Sequence, residues 1–526
     1  MRVSAPALGV LLFAASVLSY PWLLHSFARP AFVVELQAPD VSESGVLSFH
    51  TDATAAVRVD GSPYPAAQAP GPGLHHLRRQ RVYAGGHDRS VGHTQLVGPL
   101  QDPADPPCST HLLVDQSFLD DGEAGEGTMA HVASALIGES LLGMNIWPLG
   151  RFETISELRL RWARFQDEAS SPKLRALARG DGLEAPLSGY LHLALELRFG
   201  SGKVPLRVSL VPRIVDARLE FRLIVDARLE LENRFYQLVV NLFDGNDRVS
   251  RIIERELRKS LLYMLDAPPG IPFGKGAQLE LSFCQGRQLI FHPRGFVAVP
   301  LAIALQDRAP YPPLQEIDSA PLDEELQAPL AIDIDRNGLN AIAHNLWSSE
   351  LLDHEVAGAL VSGFNEQESV RDYLNLRIES ARFHLPPTIE LLDGGLRLRA
   401  ALRAQLIDGE HRSEAQLFTQ VAWPLVSYQT GADLALTLDD IQMSCEPAPG
   451  RLQACYPEIL AQVRANQVEL QTRLAQTFAE LLRQLLQQRE VGDPSVPAVF
   501  ALERTILLQR GAVLRAELFG QLTDIQ

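Results

Sequence analysis

Apolar and polar residues alternate with a period of two over long stretches, as in "ISELRLRWARF", "GYLHLALELRF" and "VPLRVSLVPRIVDARLEFRLIVDARLEL". That period sends successive side chains to opposite faces and predicts twisted antiparallel sheet with one apolar face. In the repeated "IVDARLE" (214–220 and 224–230) it puts Val, Ala and Leu on one face and Asp, Arg and Glu on the other. Helical periodicity takes over at about 127–144 ("GTMAHVASALIGESLLGM") and 246–265 ("NDRVSRIIERELRKSLLYML"). Closing strands then straddle Arg294–Gly295 in "QLIFHPRGFVAVPLAIAL".

The same order recurs after residue 330. A helix is expected at about 338–353, then strands in "YLNLRIESARFHL", "GGLRLRAALRAQLI", "QLFTQVAWPLV" and "ADLALTLDDIQM". A long helix at about 457–489 and closing strands around Arg510–Gly511 complete it. Setting Gly127 on Gly338 also pairs Ala130 with Ala341, Glu139 with Glu350 and Leu141 with Leu352; the shared order carries more weight than these sparse identities.

The chain therefore divides into residues 1–29, a small Pro/Gly-rich β or partly ordered module at 30–107, a first repeat at 108–304, a Pro-rich acidic linker at 305–329 and a second repeat at 330–526. The fold class expected is α+β: two tandem modules, each a long, highly curved antiparallel sheet wrapped around long amphipathic helices, after an N-terminal membrane segment.

Composition narrows the function classes. Hydrophobic residues make up 46% and charged residues 21% of 526, which is globular. The net charge of −17 argues against nucleic acid and against adhesion to anionic headgroups, since both require basic surface. No formal charge lies between Arg2 and Arg29, so residues 3–28 can span a bilayer with Arg2 on the cytoplasmic side. This run favours an uncleaved anchor over a signal peptide cut before Tyr20. Either places the remainder outside the cytoplasm, and the absence of any N-x-[ST] sequon points to a bacterial envelope, the periplasm. Cys445 and Cys455 bracket a Pro/Gly turn and read as a disulfide of an oxidising compartment. Cys108 and Cys284 remain for a second bridge, whose connectivity the sequence leaves open.

Candidate chemistry is sparse. "IDIDRNGLNAIAH" (332–344) opens like a calcium loop, with Asp333, Asp335 and Asn337 alternating before Gly338. The twelfth position, where a bidentate Glu belongs, is His344, so the stretch reads as a strand entering a helix capped by Asp335 or Asn337. His75, His76, His87 and His93 fit an exposed Gly-rich loop better than a metal site. "HEVAG" (354–358) lacks the second His of a zinc hydrolase, "GIPFGKG" (270–276) is a turn, and no G-x-S-x-G elbow occurs. Asp120, Asp121, Glu123 and Glu126 are expected as favourable charges at the N-terminus of the first helix. Trp147, Trp162, Trp347 and Trp423 are expected in the core. No enzyme activity, cofactor, metal or nucleic-acid partner is expected.

The duplicated order of elements, with the "IDIDRNGLNAIAHNLW" helix entry and the strand in "HLPPTIELLDGGLRLRAALRAQL", resembles the tubular lipid-binding (TULIP) superfamily over about 110–525. The bactericidal/permeability-increasing protein is a member. The resemblance implies a groove in each module that holds lipid or another apolar ligand. The inward-facing helix positions expected to line it are Val132, Leu136, Ile252, Ile253, Leu257 and Leu261 in the first module. In the second they are Leu339, Ile342, Leu346, Ile459, Val463, Leu474, Phe478 and Leu481. The first helix departs from the pattern by lacking the Leu–Asn and Leu–Trp text. The acidic balance departs from the basic tip of lipopolysaccharide-binding members, so antimicrobial activity is not carried over. A competing reading is an envelope structural or assembly protein with solid cores and an acidic surface for a basic partner.

Overall fold

The computed structural model describes residues 38–524 except 50–55, 65–69, 83–87, 121–127, 132–137, 139–140, 145–153, 167–188, 201, 217, 243, 263–270, 274–276, 307, 318–325, 366–375, 409–410, 425–436 and 447–497. Strands β1 (Val41–Ser42), β2 (Ala56–Val59), β3 (Ser62–Pro63), β4 (Gly73–Val82) and β5 (Asp88–Val97) form an N-terminal sheet in the order β1-β5-β4-β2-β3. A first half follows: β6 (Cys108–Asp115), the short helix α1 (Gln116–Leu119), and the meander β7 (Glu157–Gln166), β8 (Tyr190–Phe199), β9 (Gly202–Val215) and β10 (Arg218–Ala227). The short β11 (Glu230–Leu231) then leads to helices α2 (Arg234–Leu242) and α3 (Gly245–Leu262).

A small hairpin, β12 (Ile271–Phe273) with β13 (Ala277–Leu279), precedes β14 (Leu281–Phe283), β15 (Ile290–His292) and β16 (Phe296–Ile303). The second half opens with β17 (Leu330–Asp335), α4 (Arg336–Ser348) and α5 (Gly358–Asn365). Its meander is β18 (Leu376–Phe383), β19 (Thr388–Leu392), β20 (Gly395–Asp408), β21 (His411–Pro424) and β22 (Thr437–Glu446). Strands β23 (Ala498–Arg510) and β24 (Val513–Asp524) close it.

The halves share one sheet, β14-β16-β6-β17-β24-β23, in which β6 of the first pairs antiparallel with β17 of the second. Cys108, at the start of β6, is bridged to Cys284 just after β14. The predicted Cys445–Cys455 bridge lies outside the described residues, which include only the backbone of Cys445.

Period-two patterning explains most of these strands. In β9, Val204, Leu206, Val208 and Leu210 face inward, and Leu223, Val225 and Ala227 of β10 join them. Helix α3 completes that core with Val249, Ile253 and Leu257, spaced one turn apart and at most 1% exposed. In the first half, residues 129–131, 138 and 141 are helical within the expected 127–144.

Several expectations are corrected. The two copies of "IVDARLE" do not adopt the same structure: 224–230 alternates as expected, whereas 214–220 holds the β9–β10 turn, with Asp216 at φ 50°. Helix α2 falls in a stretch without an expected helix. The helix predicted at 338–353 starts at Arg336 and breaks after Ser348, where Glu350 takes φ 61°. It then resumes through a π turn at Asp353–Ala357 into α5, which extends to Asn365. Asp120 is no N-terminal charge: its carboxylate accepts from the Ala163 amide at 2.8 Å and so ties α1 to β7. His75, His76 and His93 are not in an exposed loop but buried on β4 and β5; His87 is outside the described residues.

Gly338 allows α4 to lie close to β6. A Cβ there would sit 2.7 Å from Ile334 Cγ2 and 3.0 Å from the Ser109 carbonyl. Gly338→Ala is expected to cost about 1–2 kcal/mol despite alanine's better helix propensity, since overpacking outweighs it. The urea midpoint checks this.

Candidate apolar ligand site

The site is built from α4 outward. Asp335 caps the helix: it accepts from the Gly338 amide at 3.0 Å, and its burial raises the carboxyl to about 6. Its neighbour Asp333 points elsewhere, into a two-pronged ion pair with Arg515 of β24 at 2.7 and 2.8 Å. The alternating Asp333, Asp335 and Asn337 thus serve a sheet, a helix cap and a loop, not a cation. Among the described residues no group of three or more His, Cys, Asp or Glu could hold a metal.

Asparagines on α4 act as surrogate strand partners. Asn337 accepts from the Gln315 amide at 2.9 Å and donates to its carbonyl at 3.1 Å. Asn340 treats Ile389 of β19 in the same way, at 2.7 and 3.2 Å. Asn345 accepts from the Gln306 amide at 3.1 Å and donates to the Ala304 carbonyl at 2.8 Å. Each exchanges a pair of bonds that a β-ladder would otherwise supply, so the helix is stitched to three extended segments. His344 binds the carbonyls of Arg308 and Pro310, both at 3.1 Å, and burial lowers its pKa. The Trp347 indole donates to the Phe383 carbonyl at 2.9 Å.

The other face of α4 is apolar, and between it and β20–β21 lies a cavity of about 80 Å³ that opens to solvent. Ile342, Ala343 and Leu346 of α4 form one wall, joined by Leu352 and Val356 beyond the helix break. The facing wall comes from β20, through Leu398, Ala400 and Leu402, and from β21, through Thr419 and Val421. Phe383, Pro387 and Ile389 close one side. Thr419 contributes the wall's one side-chain hydroxyl, so the lining offers dispersion and desolvation rather than recognition of a charged group. The π turn sits at this rim, where Asp353 accepts from the Phe383 amide at 2.6 Å. Burial raises the Asp353 pKa, against that hydrogen bond.

Of the residues expected to line grooves, Ile342 and Leu346 come together here. Leu339 points away, packing with Leu391, Leu396, Leu507 and Leu514. Ile253 and Leu257 are packed in the first half's core, and Ile252 is half-buried beside them. Leu261 is helical, but its side chain lies outside the described residues, as do Val132, Leu136, Ile459, Val463, Leu474, Phe478 and Leu481 entirely. The strand contributions were missed, although the "LRLRAALRA" alternation marks Leu398, Ala400 and Leu402 as one face. What was absent was any signal for which element covers it.

No protein-family model matches this chain, and no curated protein matches it. A solved structure described as lipopolysaccharide binding protein is similar over 80% of this chain and 100% of that one, at 12% identity and a TM-score of 0.33. A likeness this slight establishes neither family nor ligand. The described residues form a mostly-sheet α+β fold whose halves meet in a shared sheet.

Proposed function

We propose that this chain binds, without catalysis, a lipid or other apolar molecule in the cavity between α4 and β20–β21. The observation that carries the reading is the cavity's lining, apolar on every wall apart from Thr419. Each ligand methylene buried there would contribute about 0.8 kcal/mol, so a few suffice for measurable affinity. An extracytoplasmic setting, in a bacterial envelope and anchored through residues 3–28, belongs to the same proposal; the Cys108–Cys284 bridge supports the oxidising compartment. Among the described residues no helix is long and apolar enough to cross a membrane, and the proposed span lies outside them.

The first half favours the competing reading locally. Ile253 and Leu257 are 0% and 1% exposed among the described strands of their own sheet, so these two positions pack in a core. The ligand is proposed for the second half because the cavity lies there.

The test is native mass spectrometry of the full chain with organic extraction, followed by titration with a fluorescent fatty acid. Ala400→Phe should fill part of the void and exclude about two methylenes, weakening uptake about fifteen-fold. The far-ultraviolet circular dichroism should be unchanged. Equal uptake by both proteins, or none by either, would refute the assignment.

A further inference from the structure

The N-terminal sheet is fastened to the back of the strands that line the cavity. Along β20, Leu398, Ala400 and Leu402 face the cavity, while the alternate residues Arg397, Arg399, Ala401 and Arg403 face away. On that rear face Leu74 and Leu96 of the N-terminal sheet pack against Ala401, Phe418 and Leu385. His76 stacks on Phe418 with ring centres 5.0 Å apart, and its Nδ1 is buried without a hydrogen-bond partner. Two arginines cross the interface: Arg399 to Asp60 at 3.2 Å, and Arg403 to Asp40 at 3.1 Å. Arg399 also lies 3.4 Å from Glu390, and Arg403 lies 3.5 Å from Glu414. His384, between β18 and β19, sits among Arg403, Asp40 and His93.

We propose that the N-terminal sheet is an acid-released cap, held closed while His76 and His384 are neutral and opened by their protonation with the rest of the fold intact. Burial holds both rings at about 4. Asp60 attracts a charged His76, while Arg78 and His93 repel it. Around His384, Arg403 and His93 repel the charge and Asp40 attracts it.

The sign follows from the direction of these shifts. The open state, with ordinary histidines near 6.5, binds more protons than the closed state between about 6.5 and 4. The closed state therefore loses ground as the pH falls through that window. At pH 5 each ring favours opening by about thirty-fold, and the two together by about a thousand-fold. His75 contacts Asp60 at 2.8 Å, and His93 contacts Asp40 at 3.5 Å. All four of those residues belong to the cap, so these pairs do not hold it down.

The cap would stay tethered. Just after β5, Leu314 N donates to the Pro99 carbonyl at 2.7 Å, and Gln101 N donates to the Pro312 carbonyl at 2.9 Å. Opening would remove the support behind the cavity wall, because Ala400 and Leu402 alternate with Ala401 and Arg403.

Hydrogen exchange of the full chain at pH 7.5 and 5.0, corrected for intrinsic rates, tests this without any ligand, so it stands apart from the cavity's function. Amides of β4 and β5 should lose at least about a hundred-fold in protection at pH 5, while β20, β21, β6 and β17, whose ladders lie in the rest of the fold, keep theirs. The variants His76→Phe and His384→Leu should each reduce the acid effect by about ten-fold or more. Equal protection at both pH values would overturn the proposal. So would joint loss across β6 and β17, or an acid effect undiminished in both variants.

Discussion

Asp333→Ala is expected to lower the unfolding free energy by about 3–5 kcal/mol, measured by urea denaturation. The pair it breaks joins β17 to β24 in the shared sheet, where the Asp333 and Arg515 side chains are 4% and 3% exposed. Removing the carboxylate takes from a buried guanidinium its two-pronged partner, and the desolvation no longer compensated sets the cost. Glu517, two residues along the same face, is fully buried; its pKa is raised by burial and drawn back by Arg515. It limits the damage without replacing the two-pronged geometry. The double variant Asp333→Ala/Arg515→Met should be more stable than Asp333→Ala alone, because it removes the buried charge that has lost its two-pronged partner. A double variant that loses the sum of both single losses would show that the residues do not act as a pair.

Asn340→Leu is expected to cost about 1–3 kcal/mol, from the loss of two part-buried hydrogen bonds to the backbone of half-buried Ile389. The isosteric size of leucine keeps the packing nearly constant, so the loss reports hydrogen bonding rather than a cavity. Asn340 is 0% exposed, and no water can replace it without opening the joint between α4 and β19. Because Ile389 also lines the cavity, the variant should bind the fluorescent fatty acid more weakly as well. Unchanged stability would mean that β19 finds other partners for its amide and carbonyl.

Local pattern alone made much of the fold legible. Alternation in "GYLHLALELRF" and "GGLRLRAALRAQLI" marks β8 and β20 with their inward faces, because a pleated strand must segregate its side chains by parity. The start of α4 was readable from Asp335 and the apolar spacing that follows it, since an N-cap is a local hydrogen bond. The rejection of a calcium loop was equally local, resting on His344 in the twelfth position.

What lies across from each face was not readable, and there tertiary structure decided. Identical "IVDARLE" segments became a turn and a strand because register in the β9–β10 hairpin, not composition, places the reversal at Asp216. The arginine face of β20 reads as solvent-exposed, yet Arg399 is 8% exposed because the N-terminal sheet covers it. The same packing took His75 and His76 from an apparent loop into an interface. Leu339, Ile342 and Leu346 share one apolar helix pattern, but only the last two meet a void, since Leu339 packs on Leu391, Leu396, Leu507 and Leu514 while the others face β20–β21. Periodicity by itself determined which residues turn inward; whether they meet a filled core, a cavity or a covering sheet depends on contacts between segments far apart in the chain.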